Sequence, residues 1–171
     1  MPEWVIEPLD RAHERALFTC GKAALDEFLR SLVTQYEKRR LGRTYVAVRT
    51  GERRVAGYYT LASGAVSFGS LPPEAARKLP RHPIPVILLA RLAVGTEAQG
   101  HGLGRTLLVD ALGWCLELAG RLGVHAIEVE AIDDEARHFY EKYGFISLID
   151  DQRHLYLPIT TVQRSSGQRG R

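Results

Sequence analysis

The chain has 171 residues, of which 25% are charged and 45% apolar, and a formal net charge of +3, a balance typical of globular proteins. This length predicts one domain over residues 1–162, followed by a disordered basic tail over 163–171 that contains no apolar residue. No apolar run reaches the roughly 18–20 residues that a membrane span needs. The N-terminus also lacks a signal-peptide pattern. These features predict a cytoplasmic protein without a membrane partner.

The first half of the chain predicts strands and helices in alternation. Residues 3–9 predict a strand, and a short helical stretch from Asp10 ends near Gly21. Residues 45–48 and 55–61 predict antiparallel strands joined by a turn. Five prolines between 69 and 85 predict an extended surface excursion outside the sheet, around a small helical island. Apolar residues at three-and-four spacing predict an amphipathic helix through Leu25, Phe28, Leu29, Leu32, Val33 and Tyr36.

The second half completes a mixed α/β fold. It predicts a strand over 86–94, a helix over 105–119 and a strand over 124–132. Acidic residues at 133–135 begin a further helix, which Gly144 ends, and two short strands follow over 145–149 and 154–158. The expected architecture is a mixed, mostly antiparallel sheet of about six to seven strands with helices on both faces.

The two cysteines, Cys20 and Cys115, lie far apart in the sequence and lack the spacing of a metal site or an adjacent base. We expect both to pack as small apolar side chains. No metal ion is predicted for this chain.

Alternate glycines mark the segment between the strand over 86–94 and the helix that follows it. This segment is Gln99-Gly100-His101-Gly102-Leu103-Gly104. Glycine lets the backbone approach a ligand closely, and a helix N-terminus offers unpaired N–H groups and a positive dipole end to an anion. A diphosphate is therefore the predicted ligand, and a tight turn without a ligand is the alternative.

Two common phosphate loops do not fit this segment. A P-loop ends in Gly-Lys-Ser/Thr, which Leu103-Gly104-Arg105 does not supply. A dinucleotide fingerprint belongs to the first strand–turn–helix unit of a domain, whereas about half of this chain precedes the loop.

The Gln-x-x-Gly-x-Gly pattern resembles the pyrophosphate loop of the GNAT acetyltransferase superfamily, whose ligand is acetyl-coenzyme A. The resemblance implies a GNAT-like sheet that splays apart at the cofactor site. It implies that the backbone of the preceding strand end pairs with the pantetheine arm and polarises the thioester carbonyl. Loop N–H groups would bind the pyrophosphate with help from the Arg105 side chain. The implied cofactor-binding residues are Leu92, Ala93, Val94, Gln99, Gly100, His101, Gly102, Leu103, Gly104 and Arg105.

A second segment, residues 136–145, resembles the Ala-x-x-Phe-Tyr-x-x-x-Gly-Phe motif of the same superfamily. The tyrosine of that motif commonly protonates the departing coenzyme A sulfur, which implies that Tyr140 is the catalytic acid. The alternative is that Phe139 and Tyr140 are both core aromatics. We expect a core position for Phe139 and a catalytic one for Tyr140.

Three further features resemble the GNAT toxins of bacterial toxin–antitoxin modules. They are the segment over 18–29, the proline-broken excursion before the Arg91-Leu92-Ala93-Val94 strand end, and the closing segment over 155–159. The resemblance covers residues 3 to 162. It implies acetylation of the α-amine of aminoacyl-tRNA, which blocks translation, and neutralisation by a ribbon-helix-helix antitoxin. A homodimer is also expected.

Local clusters of basic residues suit an RNA partner, although solvated faces are the alternative. The clusters are Lys38-Arg39-Arg40 with Arg43, Arg53-Arg54, and Arg77-Lys78 with Arg81-His82. For contacts with the tRNA acceptor arm, the predicted residues are Arg77, Lys78, Arg81 and Arg91.

The motif regions contain no obvious dedicated base. Glu128 and Glu130 alternate on one predicted strand and could hold a water, but structural or solvated roles are favoured, and His101 is expected to be exposed. An α-amine has a reference pKa of about 7.7–8.0 and a lysine about 10.4, so the lack of a base favours an α-amine acceptor.

Two other functions stay open. One is a GNAT N-acetyltransferase that acts on a small-molecule amine or a protein N-terminus, which would use the same motifs. The other is a catalytically silent GNAT-like binding module, against which the intact Gly102, Gly104 and Tyr140 argue.

Overall fold

The computed structural model describes residues 3–167 as a seven-stranded sheet with strand order β1-β2-β3-β4-β5-β7-β6. The β4–β5 pair is parallel, whereas β1–β2, β2–β3, β5–β7 and β6–β7 are antiparallel. This confirms the predicted mixed, mostly antiparallel sheet. The strands are β1 Trp4–Pro8, β2 Arg43–Arg49, β3 Val55–Val66, β4 Ile84–Val94, β5 Ala126–Glu130, β6 Ile146–Ser147 and β7 His154–Pro158.

The helical elements lie between and after the strands along the chain. A π-helical segment, Phe28–Leu32, joins the first two α-helices, and 3₁₀ turns occur at Phe68–Ser70 and Thr96–Ala98. No helix within residues 3–167 has the length and apolar character required to cross a membrane. The α-helices are α1 Ala23–Glu27, α2 Val33–Lys38, α3 Pro73–Ala76, α4 Leu103–Ala119, α5 Asp134–Lys142 and α6 Ile159–Gly167.

The chain divides into two compact units, and β3 and β4 contribute residues to both. Unit 1 comprises Met1–Ala62 and Ala90–Ala111, and unit 2 comprises Ser63–Leu89 and Leu112–Arg171. The core of unit 1 contains Phe18, Cys20, Phe28, Leu29, Val33, Val46, Val55, Tyr58 and Ala93. The core of unit 2 contains Val66, Leu71, Ile84, Val86, Ala126, Leu148 and Tyr156. The expectation of one domain over 1–162 stays a prediction.

The predicted amphipathic helix over residues 25–36 is present, but it contains a π turn. Phe28, Leu29 and Val33 are at most 1% exposed, as the apolar spacing predicts. The Val33 N–H donates to the Phe28 carbonyl, an i→i+5 bond that widens the helix locally. Leu32 is 43% exposed, because this wider turn rotates it away from the buried face that regular α-helical spacing assigned to it.

The predicted helical stretch from Asp10 to Gly21 is wrong, because this segment consists of turns and bends. The Asp10 carboxylate accepts a hydrogen bond from the Ala12 N–H at 2.7 Å, and the Asp10 N–H donates to His13 Nδ1 at 2.9 Å. Such local side-chain bonds offer the backbone an alternative to a helix. Glu14 then forms an isolated parallel bridge with Arg54.

Two other expectations need correction. Pro85 lies inside β4 rather than outside the sheet, but it is exposed and only the second residue of the strand, where proline is tolerated. Residues 163–167 are not disordered, because they continue α6, whose Ile159 and Val162 are 5% and 6% exposed. Residues 168–171 of the predicted tail lie outside the described residues.

Candidate active site

The segment before the glycine loop is held by backbone and side-chain hydrogen bonds within unit 1. The Gly95 N–H donates to the Ala56 carbonyl at 2.7 Å, and the Gln99 side chain donates from Nε2 to the carbonyls of Cys20 and Val94, both at 3.0 Å. Gln99 therefore fixes the start of the loop through its side chain. The expected role of Gln99 in cofactor binding stays a prediction.

Gly100 and Gly102 adopt φ angles of +82° and +79°, which L-residues with a Cβ rarely adopt. A Cβ added at either position would meet no atom within 4 Å, so the space beside the loop backbone is open. Such open space is what a closely approaching phosphate requires. Two further predicted cofactor-binding residues of this segment differ in exposure. His101 is exposed, whereas Leu103 is 1% exposed.

Helix α4 begins at Leu103, two residues before the predicted start, so Leu103 and Gly104 belong to its first turn. The Thr106 N–H donates to the Gly102 carbonyl at 3.1 Å and makes the first bond of the helix. Backbone N–H groups ahead of that bond have no carbonyl partner within the helix. Leu103, Gly104 and the exposed Arg105 therefore present N–H donors where an anion would bind.

The strand end that precedes the loop, Leu92 to Val94, lies in unit 1. Ala93 is 4% exposed, and a Cβ on Gly57 of β3 would come within 2.9 Å of the Ala93 carbonyl oxygen. Glycine at position 57 is thus needed for the close approach of the two backbones. The β4–β5 register runs from Val86 with Ala126 to Leu89 with Val129, and β4 continues for five residues beyond it. The predicted splay of the sheet stays a prediction.

Tyr140 lies in α5 of unit 2, a helix whose ends follow from the sequence. The Asp133 carboxylate caps the helix by accepting from the Ala136 N–H at 2.8 Å, and Gly144, with a φ of +94°, follows its last turn. The Tyr140 ring is 6% exposed and makes edge contacts with Phe139 and Phe145 at centroid distances of 5.3 and 5.4 Å. Burial raises the pKa of Tyr140 above its ordinary value. The phenol is therefore neutral at physiological pH.

The four predicted tRNA contacts fall into two environments. Arg77, Lys78 and Arg81 are exposed on the segment that follows α3 in unit 2. Arg91 is half-buried on β4 in unit 1, with its Cζ 3.7 Å from the ring centroid of Phe28 and 5.2 Å from that of Tyr36. The first three suit a polyanion, whereas Arg91 also stacks on the aromatic core.

Neither cysteine has a reactive environment. Cys20 and Cys115 are free and buried, which confirms the packing role expected from their spacing. Burial, with a smaller effect from Asp26, raises the pKa of Cys20 to about 11, and burial alone raises that of Cys115 to about 12. Both thiols are therefore protonated at physiological pH.

The structure also brings His154 and Asp150 to Glu128, a meeting that no sequence motif indicated. Glu128 of β5 is hydrogen-bonded through Oε1 to Nε2 of His154, and Nδ1 of His154 lies 3.0 Å from Oδ2 of Asp150. The strand register explains the meeting, because His154 of β7 is paired with Glu130, two residues from Glu128. Ligand-type atoms of Glu128, Glu130 and His154 lie within 4.8 Å of one another. Since Glu128 and His154 bond each other directly, we describe a hydrogen-bonded network, and the absence of a metal stays a prediction.

Comparisons with known proteins agree with this geometry. The tRNA-acetylating toxin of Mycobacterium tuberculosis (strain ATCC 25618 / H37Rv) is 43% identical over 140 residues, which cover 82% of each chain. A crystal structure of a tyrosine-to-phenylalanine mutant of KacT matches with a TM-score of 0.91 and 27% identity, covering 96% of this chain and 99% of KacT. AtaT complexed with acetyl-methionyl-tRNAfMet matches with a TM-score of 0.88 and 32% identity, covering 95% and 98%.

Other matching structures contain further ligands and partners. AtaTR has been solved bound with AcCoA, and AtaT has been solved bound to the C-terminus of the antitoxin AtaR. Residues 40–147 of the present chain, more than half of its length, match the acetyltransferase (GNAT) domain. The chain belongs to the GNAT acetyltransferase family.

Proposed function

We propose that the protein transfers the acetyl group of acetyl-coenzyme A to the α-amino group of aminoacyl-tRNA and thereby blocks translation as the toxin of a toxin–antitoxin pair. The observation that carries the proposal is the open glycine loop at the N-terminus of α4, in a chain 43% identical to a tRNA-acetylating toxin. Charged tRNA is a cytoplasmic substrate, so we place the activity in the cytoplasm.

The loop and the first turn of α4 fit the pyrophosphate of acetyl-coenzyme A. Gly100 and Gly102 leave open space beside the backbone, and the N–H groups at the start of α4 point out of the helix end. Gln99 holds the loop in place, and the exposed Arg105 adds a positive charge. We assign the pantetheine arm to the backbone of Leu92, Ala93 and Val94, in the manner of an added strand.

Thioester aminolysis then needs an oxyanion donor and a proton for the leaving thiolate. We assign a main-chain N–H of the Leu92–Val94 segment to the carbonyl oxygen and the Tyr140 hydroxyl to the sulfur. Burial keeps the Tyr140 phenol protonated, so its proton is available when the C–S bond breaks. The phenolate that remains on Tyr140 after this transfer takes a proton from solvent, because burial raises the pKa of the phenol.

The proposed partners are a tRNA and an antitoxin. The first is inferred from exposed positive charge and the second from the complexes of similar proteins. Arg77, Lys78 and Arg81 present three exposed positive charges on one segment, and we assign them to the phosphates of the tRNA acceptor arm, with Arg91 as a further contact. AtaT has been solved bound to the antitoxin AtaR. We propose that an antitoxin of the ribbon-helix-helix type neutralises this chain and that the chain forms a homodimer.

A labelling experiment tests the proposed acceptor. The protein is incubated with radiolabelled acetyl-coenzyme A and, in parallel, with charged tRNA, deacylated tRNA, a peptide with a free N-terminus and a small primary amine. We expect label on charged tRNA alone, and alkaline cleavage of the aminoacyl ester should release it as an N-acetylamino acid. Label on the peptide or the small amine, with none on charged tRNA, overturns the proposal in favour of another GNAT substrate.

A further inference from the structure

The segment over residues 18–29, which resembles part of the GNAT toxins, contains a buried carboxylate that the proposed mechanism does not use. Asp26 lies in α1 of unit 1 and is 7% exposed. A carboxylate at that burial requires hydrogen-bond partners. The partners lie just before α1, because Oδ1 of Asp26 accepts from the Cys20 N–H at 2.7 Å and Oδ2 accepts from the Thr19 hydroxyl at 3.3 Å.

The same two residues hold the entrance to the glycine loop through their carbonyl groups. The Thr19 carbonyl accepts from the Thr96 N–H at 2.8 Å, and the Cys20 carbonyl accepts from Gln99 Nε2 at 3.0 Å. Thr96 begins the 3₁₀ turn after β4, and Gln99 is the first residue of the glycine loop. Thr19 and Cys20 therefore link the carboxylate of α1 to the entrance of the loop.

One peptide group carries part of this link. The Thr19 carbonyl and the Cys20 N–H belong to the same planar peptide unit. That unit donates to Asp26 and accepts from Thr96, so the two hydrogen bonds form a continuous chain. Hydrogen bonds in a chain polarise one another, and a bond to a carboxylate is stronger than one between neutral groups. A shift of this peptide unit would displace Thr96 as well.

The conformation of the glycine loop depends on how its ends are held. Gly100 and Gly102 have positive φ angles, and nothing lies within 4 Å of the position that a Cβ would take at either residue. Glycine also loses more conformational freedom on ordering than any other residue. A loop that is ordered before its ligand arrives loses less entropy on binding, which strengthens the affinity. Hydrogen bonds at the loop entrance therefore favour cofactor binding.

We infer that Asp26 is a positioning residue that orders the glycine loop for acetyl-coenzyme A, through the Thr19–Cys20 peptide and Gln99. The inference rests on the proposed assignment of the cofactor to this loop. All the residues involved lie in unit 1. The segment over 18–29 thereby gains a physical role, because α1 supplies the carboxylate and the residues before α1 transmit its position to the loop.

Calorimetry of acetyl-coenzyme A binding tests this role in the absence of an acceptor. Asp26→Ala removes both acceptor oxygens, and we expect the Kd to rise by about 10-fold or more, the usual effect of losing a hydrogen bond to a charged group. The kcat at saturating acetyl-coenzyme A should stay near that of the wild type, because only binding is affected. Asp26→Asn keeps an oxygen for the Cys20 N–H and should restore most of the affinity. An unchanged Kd in Asp26→Ala contradicts the inference.

A matched control removes a buried hydrogen bond elsewhere in unit 1. Thr44 and Thr60 are 2% and 1% exposed, and their hydroxyl groups are hydrogen-bonded at 2.7 Å between β2 and β3. Thr60→Val should lower the free energy of unfolding without a change in the Kd for acetyl-coenzyme A. An equal rise of the Kd in Thr60→Val and Asp26→Ala would indicate general destabilisation and reject the positioning role.

Gln99→Met tests the other end of the link. Methionine is similar in size to glutamine but cannot donate to the Cys20 and Val94 carbonyls. Its Kd should rise as in Asp26→Ala, and the double variant should bind about as well as the weaker single variant, because both changes break the same link. An unchanged Kd in Gln99→Met, or effects that multiply in the double variant, overturns the inference. If Asp26→Ala does not fold, Asp26→Ser takes its place, because its shorter hydroxyl keeps a polar group at the site.

Hydrogen exchange distinguishes a failure of the inference from a failure of the proposed function. In the ligand-free protein, the amides of residues 96–104 should exchange faster in Asp26→Ala and Gln99→Met than in the wild type, and at the wild-type rate in Thr60→Val. If Gly102→Ala leaves the Kd for acetyl-coenzyme A unchanged, the proposed pyrophosphate site is wrong, but the exchange rates still test whether Asp26 orders the loop. Wild-type exchange over 96–104 in both Asp26→Ala and Gln99→Met shows that it does not.

Discussion

Tyr140 has a packing role in the structure, and we propose a chemical role for its hydroxyl group as well. Its ring contacts Phe139 and Phe145, and burial raises the pKa of its hydroxyl group. Packing depends on the ring, whereas proton donation depends on the oxygen. A substitution that removes only the oxygen separates the two roles.

We predict that Tyr140→Phe keeps the fold and acetyl-coenzyme A binding but lowers turnover by about 10²–10⁴-fold, the usual contribution of a general acid. Thermal unfolding and calorimetry check the first part, and a direct acetylation assay with labelled acetyl-coenzyme A checks the second. Unchanged turnover removes Tyr140 from the mechanism.

At the scale of elements, the glycine loop depends on backbone conformation more than on side chains. Gly100 and Gly102 have positive φ angles beside open space, and the loop leads directly into α4. Gly51, in the turn between β2 and β3, has a φ of +84° and equally open surroundings. Gly51 therefore needs the same left-handed backbone conformation as Gly100 and Gly102, but no ligand is proposed beside it.

We predict that Gly102→Ala and Gly51→Ala each lower the free energy of unfolding by about 1–2 kcal/mol, the strain of a left-handed conformation for an L-residue. Only Gly102→Ala should also weaken acetyl-coenzyme A binding, because its methyl group enters the space proposed for the pyrophosphate. Denaturant unfolding and calorimetry measure the two effects. Equal affinities for the two variants would place the pyrophosphate elsewhere.

At the scale of the whole molecule, the net charge of +3 is too small to identify a nucleic-acid partner. The placement of charge is more informative. Arg77, Lys78 and Arg81 are exposed together on one segment, whereas Arg91 stacks on Phe28. Pairing of these cations with phosphates releases counterions, which makes binding depend on salt.

We predict that the triple variant Arg77→Gln/Lys78→Gln/Arg81→Gln weakens tRNA binding and flattens its salt dependence by about one unit of slope for each phosphate that the variant no longer neutralises. The matched control is Arg11→Gln/Arg30→Gln/Arg121→Gln, which removes three exposed positive charges outside the basic clusters. Affinity measured across a salt series gives both slopes. A slope equal to that of the wild type excludes the 77–81 segment from the interface.

The elements that the sequence predicted well are those with local signals. Asp133 and Gly144 mark the two ends of α5 in the sequence, and both act there in the structure. The helix through Phe28 and Val33 follows from apolar spacing. The prediction of a helix after Asp10 is wrong, because the side chains of Asp10 and His13 make local hydrogen bonds with the backbone in place of helical ones. The spacing of apolar residues in the sequence does not reveal these hydrogen bonds.

The glycine loop, the tyrosine motif and the pattern of strands and helices each depend on residues close together in the chain, so the amino-acid order alone predicts them. The tertiary structure alone decided which distant residues meet. The β5–β7 register brings Glu128 into hydrogen-bonding contact with His154, which lies 26 positions later in the chain, and core packing places Arg91 against the ring of Phe28. The physical reason is that strand pairing and core packing bring together side chains from remote segments, and no local pattern encodes the register.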